Sequence, residues 1–188
     1  MELKGLKTEF LGRNLIYYHS IDSTQKKIKN IKKPENGTII ITDNQFEGVG
    51  THDRKWYTGN GKNIAMSFVL LPECNIKKIE NLTIEIAKCI VNAIKKKCKI
   101  NLEIKEPNDL FYEGKKVGGI LTETSCKGEI VSKIFIGIGI NVNQEEFPGN
   151  LEEIATSLKK ICQKEFSREK LIEQFLNDFE KKYLKIVR

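Results

Sequence analysis

Lys116 stands inside the run Gly114-Lys115-Lys116-Val117-Gly118-Gly119-Ile120-Leu121. Glycines in a strand let a ligand or a second backbone come close, and a lysine projecting there can hold an anionic oxygen in a developing transition state. Just upstream, Lys105-Glu106-Pro107-Asn108-Asp109 offers two polar side chains that also suit a turn. A second run, Gln45-Phe46-Glu47-Gly48-Val49-Gly50-Thr51-His52-Asp53-Arg54-Lys55-Trp56, has glycines whose backbone N–H groups can face a phosphate. Arg54 and Lys55 add charge for an anion, and Trp56 adds a flat apolar wall. Asp22-Ser23-Thr24-Gln25 reads alone as a helix cap, yet a helix N-terminus can also hold a polar ligand head. In Gly137-Ile138-Gly139-Ile140-Asn141-Val142-Asn143, glycines and asparagines interrupt an apolar strand. That loses β-stability and points to a site-building role.

These segments need elements to position them. Leu15 to His19 reads as a strand, and Ser23 can cap a short helix that runs to Lys33, stopped by Pro34. Gly37 to Thr42 is a β-branched buried strand, and Ile64 to Leu71 another. Residues 44–63 are too long and too polar for a hairpin and read as a functional loop. Ile86, Ala87, Ile90, Val91 and Ile94 recur at helical spacing within residues 79–97. Asn101 to Lys105 is a short strand. Leu110 to Tyr112 and Lys116 to Thr124 form a hairpin around Glu113-Gly114-Lys115. Ile130 to Val142 is a long apolar strand. Ser167 can cap a final helix with Leu171, Phe175, Phe179 and Tyr183 on one face. The expected fold is α+β, a mixed, mainly antiparallel sheet flanked by helices, with the helices on one side.

The 188 residues suit one domain with a core that needs no disulfides. No apolar run is long enough to span a bilayer, and residues 1–4 lack a signal-peptide pattern, so the expected setting is cytoplasmic, off the membrane. Cys74, Cys89, Cys98, Cys126 and Cys162 form no CxxC pair, and only His19 and His52 are available to help build a metal site. Reduced, mostly buried thiols are expected in that compartment, and a cysteine nucleophile is disfavoured because no histidine or acid sits in a recognisable partner motif. The net charge of +7 is spread along the whole chain, as on a solvated lysine-rich surface. Such a surface remains compatible with an acidic protein partner.

Taken in order, the motifs are specific. DSTQ at residues 22–25, QxxGxGxxxRxW at 45–56, KxPNDLxxxGKKxGGILTE at 105–123, GIGINVN at 137–143 and ATSL at 155–158 together resemble the biotin protein ligases. The likeness runs from about Ile16 to Leu158. It implies a biotin/lipoate ligase-like catalytic domain that makes biotinyl-5′-AMP from biotin and ATP, with Mg²⁺ bound to the nucleotide. The acyl group then passes to a lysine on a biotin carboxyl carrier domain of a carboxylase. Carried over, Ser23, Thr24 and Gln25 line the biotin pocket, and Gln45 meets biotin or the adenylate. Gly48, Val49, Gly50 and Thr51 close over biotin and phosphate, with Arg54 and Trp56 as cation and anchor. Lys116 contacts the biotin carboxyl and α-phosphate oxygens beside Gly118 and Gly119. Asn108 and Asn141 are the adenine- and phosphate-side polar groups, and Asp109 lies near the Mg²⁺ or the attacking lysine.

Three positions depart from the pattern: Val49 and Thr51 stand where arginines are usual, and Glu106 where tryptophan is usual. Residues 1–188 are read as one catalytic domain with no DNA-binding domain ahead of it and no C-terminal β-barrel, hence no DNA partner; a homodimer is compatible. Two other readings compete: a lipoate or octanoate ligase of the same fold, and a non-catalytic biotin- or nucleic-acid-binding protein.

Overall fold

The computed structural model describes residues 1–51 and 54–187. Its centre is one eight-stranded sheet. Strands β1 (Leu15–Ile21) and β2 (Ile39–Gln45) are parallel, and all other pairings are antiparallel. From β2 the sheet continues through β3 (Ile64–Leu70), β8 (Ile130–Ile140), β7 (Lys115–Lys127) and β6 (Asp109–Tyr112) to β5 (Glu103–Lys105). The two-residue β4 (Cys74–Asn75) pairs with the start of β8. Parallel neighbours need a crossover. Helix α1 (Thr24–Lys29) lies on that connection and places the DSTQ segment at the sheet's face.

Two long helices, α2 (Leu82–Cys98) and α5 (Arg168–Val187), cover one face. Alternation along β8 explains why. Ile134, Ile136, Ile138 and Ile140 join the main core with Ile86, Ile90, Phe175 and Phe179. Phe68 of β3 packs against Phe175 and Phe179 at centroid distances of 6.3 and 5.8 Å. Each such buried side chain contributes about 1.5–3 kcal/mol.

The helices do not all lie on one side. Ile28 of α1 packs with Ile40, Val69 and Phe135 in a second cluster on the opposite face. In β2, Ile39 and Ile41 face the main core while Ile40 faces α1, so this strand is buried on both sides. That is why it reads as a continuous apolar run with no alternation. Helix α1 also stops at Lys29, short of Lys33. Beyond Ile28 only Ile31 offers apolar contact, and it reaches the cluster from the turn that follows. Two short helices, α3 (Leu151–Ile154) and α4 (Leu158–Cys162), are too brief to show a period in the sequence. Among the described residues, no helix is long and apolar enough to cross a membrane.

Candidate active site

The face of the sheet that carries α1 is open where β8 holds Gly137 and Gly139. A cavity open to solvent lies there, bounded by α1, the middle of β3, the β6–β7 hairpin and the residue 48–56 loop. Its floor is a hydrogen-bonded set. Thr24 donates from both its N–H and its Oγ1 to Gln45 Oε1, at 2.8 and 3.0 Å. Ser67 Oγ donates to Thr24 Oγ1 at 2.8 Å, and Gln45 Nε2 donates to Thr58 Oγ1 at 3.1 Å. Gln25 also lines the cavity. Ser23 does not: it is fully buried, and its side chain accepts the Lys26 N–H as the α1 cap. Ile120, Leu121 and Gly119 give the apolar wall.

Lys116 reaches this cavity because of a bulge. Leu110 pairs with Gly118 but Phe111 pairs with Lys116, which leaves Val117 without a partner residue in β6. In a regular strand, residues three apart point to opposite faces. The extra residue lets Lys116 share a face with Gly119, where a Cβ on Gly119 would stand 3.5 Å from Lys116 Cε. Lys116 Nζ lies 2.7 Å from Asp109 Oδ1 and 5.8 Å from the centroid of Trp56.

The Trp56 indole rests on the glycines. A Cβ at Gly139 would run into the ring, and one at Gly119 would touch it at 3.4 Å. The loop ahead of it folds back as a small hairpin, with Trp56 N–H donating to Gly48 O at 2.8 Å and Gly50 N–H to Arg54 O at 2.7 Å. Gly48 packs against the Trp56 backbone, while Val49, Gly50 and Thr51 border the cavity. Arg54 donates to Thr51 O at 3.2 Å and to Thr51 Oγ1 at 3.0 Å. The arginine is therefore held by the loop itself, and Thr51 serves as its anchor. His52 and Asp53 lie outside the described residues.

A second cavity, also open to solvent, adjoins the first and shares Gly50, Thr51, Trp56 and Lys116 with it. Arg54, Lys55 and Tyr57 line it together with Phe147, Leu151 and Ile154. Asn141 borders it, with Nδ2 donating to Thr156 O at 3.1 Å. It ties the end of β8 to the segment before α4. Asn108 lines the first cavity and donates to Ile120 O at 3.1 Å, so it also shapes the hairpin. Gly118 lines neither cavity; a Cβ there would sit 2.9 Å from Gly139 O. Among the described residues no group of three His, Cys, Asp or Glu side chains is placed to hold a metal ion. Asp109 is a single carboxylate, paired with Lys116.

Ser67, Phe147, Leu151 and Ile154 belong to the site without having been singled out from sequence. Ser67 sits in a strand that reads as plain core, and the other three lie in a segment without period. The five thiols are free; Cys74, Cys89 and Cys98 are buried, Cys162 is half-buried and Cys126 is exposed. Burial pushes Cys89 and Cys98 up to about 11, so both stay as thiols at neutral pH.

Residues 17–141 match the family model described as the biotin/lipoate A/B protein ligase family. The chain is 40% identical over 184 residues to the bifunctional ligase/repressor BirA of Bacillus subtilis, covering 95% of this chain and 56% of BirA. It is 32% identical over 138 residues to the biotin–[acetyl-CoA-carboxylase] ligase of Paracoccus denitrificans, covering 72% of this chain and 57% of that ligase. The chain thus spans about half the length of these curated relatives. Among solved structures, the biotin protein ligase of Aquifex aeolicus in complex with biotin and ATP superimposes with a TM-score of 0.79 at 32% identity, over 92% of this chain and 71% of that one.

Proposed function

The chain belongs to the biotin/lipoate A/B protein ligase family, and from that premise we propose that it activates biotin with MgATP and transfers the biotinyl group to a lysine of a carrier domain. One observation carries this reading: Lys116 stands on the seam between two adjoining cavities. The first has a polar floor and apolar walls, which suits the ureido head and the apolar ring and chain of biotin. The second, lined by Arg54 and Lys55 together with Phe147 and Ile154, suits a nucleotide.

In the first step a carboxylate oxygen of biotin attacks the α-phosphorus of ATP, and pyrophosphate leaves. Two anions must meet, and Lys116 at the seam offsets their repulsion. Lys116 is held at Asp109, so it is already aimed before substrates arrive. Arg54 is poised on the loop to follow the phosphates. In the second step the ε-amine of the acceptor lysine attacks the acyl carbon. The amide forms, AMP leaves, and the amine gives up a proton; Asp109 is the carboxylate on hand beside that point. Trp56, seated on Gly139, keeps the loop over the mixed anhydride and limits hydrolysis. The acceptor is a biotin carboxyl carrier domain, in keeping with the acetyl-CoA carboxylase named for the Paracoccus relative. A cytoplasmic setting, in keeping with the free thiols, is part of the same proposal.

The test mixes purified protein, labelled biotin, MgATP and a carrier domain. Label on one carrier lysine is expected, with none from lipoic or octanoic acid. Lys116→Ala should lower biotin-dependent pyrophosphate release by about 10- to 150-fold, the worth of one charge-assisted contact. Absence of label, or near-normal release by that variant, would overturn the proposal.

A further inference from the structure

Gln25 is 4% exposed, and its neighbours dictate which way its amide points. Nε2 donates to Glu123 Oε2 at 2.8 Å and approaches Phe135 O at 3.5 Å. An ionised carboxylate and a carbonyl only accept, so the NH₂ group must face them and the oxygen must face the cavity. There Oε1 is buried with no hydrogen-bond partner among the described residues. A Cβ on Gly137 would stand 2.8 Å from that oxygen and 3.4 Å from Ser67 Oγ. Only glycine at 137 leaves that oxygen the place it occupies at the edge of the cavity. A buried amide oxygen without a donor is costly, so a ligand N–H that meets it is favoured.

Glu123 is outside the cavity lining and is itself held. Lys29 Nζ lies 2.8 Å from its Oε1, and the pair is partly exposed. Burial pushes the Glu123 carboxyl up, but the hydrogen bonds from Lys29 and Gln25 outweigh it and hold the carboxyl below its usual range. It stays an anion at neutral pH, an acceptor and nothing else.

We infer that Glu123, clamped by Lys29, is a positioning residue that locks the Gln25 amide with its oxygen toward the cavity, and so selects an acid whose head carries an N–H donor. This rests on the biotin reading of that cavity. The cyclic urea of biotin presents such donors, whereas a dithiolane ring or a plain alkyl end presents none. Without Glu123 the amide is free to turn its NH₂ group inward, where donor would oppose donor.

Calorimetry on the full chain tests this with three probes: biotin, and the two analogues in which one or the other urea N–H is replaced by oxygen. In the unaltered protein one analogue should bind about tenfold or more weakly than biotin. Glu123→Ala should weaken biotin about tenfold, raise its KM with little change in kcat, and shrink that analogue's penalty to about threefold. Glu123→Gln, whose side-chain oxygen still accepts from Gln25, should recover most of the loss. Lys29→Met unclamps Glu123 without replacing it and should move the same quantities in the same direction, which keeps the test open if Glu123→Ala folds poorly. Failure of the unaltered protein to bind biotin overturns both the biotin reading and this one. Biotin binding with no change of affinity or of analogue penalty in the two clamp variants overturns this one alone.

Discussion

At the scale of single residues, the site depends on side chains that are absent as much as on those present. Gly139 is the clearest case, because the Trp56 indole occupies the volume a Cβ would need. Gly139→Ala must lift the indole off β8 and loosen the loop that carries Thr51 and Arg54. The expected cost is about 1–3 kcal/mol in urea unfolding, as for other overpacked positions, with a raised KM for ATP. An unchanged midpoint and KM would show that the ring rests elsewhere in solution. Lys116 makes the complementary case: the motif around it is legible in the sequence. Its approach to Asp109 follows from the unpaired Val117, which no local pattern announces.

At the scale of elements, α5 is locked to the sheet at its first residue. Arg168 Nη2 lies 2.9 Å from Asp43 Oδ1, and Nη1 donates to Asn63 O at 3.1 Å. Tyr17 donates to Asp43 Oδ2, and His19 Nδ1 lies 3.6 Å from the same oxygen. Burial pushes the Asp43 carboxyl up, yet the Tyr17 and Arg168 hydrogen bonds prevail and hold it below its ordinary value of 3.8. A carboxyl depressed in the folded state stabilises above its ordinary pKa, and that stability fades as pH falls through 3.8 and the folded value below it. Asp43→Asn should therefore melt lower near neutral pH and lose less stability on acidification below about pH 5. Parallel melting curves of the two proteins across that range provide the check; equal slopes would mean that other carboxyls carry the acid sensitivity. The Asp43–Arg168 pair joins β2 to α5, elements far apart in sequence, and neither residue type marks it in advance.

At the scale of the whole molecule, the N-terminal segment is bound to the last helix. Glu180, 4% exposed, accepts the backbone N–H groups of Glu9, Phe10 and Leu11 at 2.5, 3.1 and 2.8 Å. Gly5 and Lys7 N–H groups likewise donate to Glu173 and Asn177. Leu11 is thereby seated in the main core. Glu180→Ala leaves these donors without their acceptor and should cost about 1–3 kcal/mol, with earlier proteolytic cutting among the first eleven residues. Wild-type stability and cutting would mean the tether is dispensable.

By itself the sequence determined the order of the longer strands and of α1, α2 and α5, though not β4, α3 or α4, together with the mixed antiparallel character of the sheet and the motifs that mark a biotin/lipoate ligase-like domain. Those signals are local: periods of two and 3.6, caps such as Ser23 and Ser167, and residue types at short spacing. The tertiary structure alone decided that α1 covers the face opposite α2 and α5, and that two cavities meet at Lys116. It also paired Gln25 with Glu123, 98 positions away. Such neighbours depend on strand register and on which face a helix returns to. A shift of one residue in register reverses every side chain without changing the local pattern that the sequence displays.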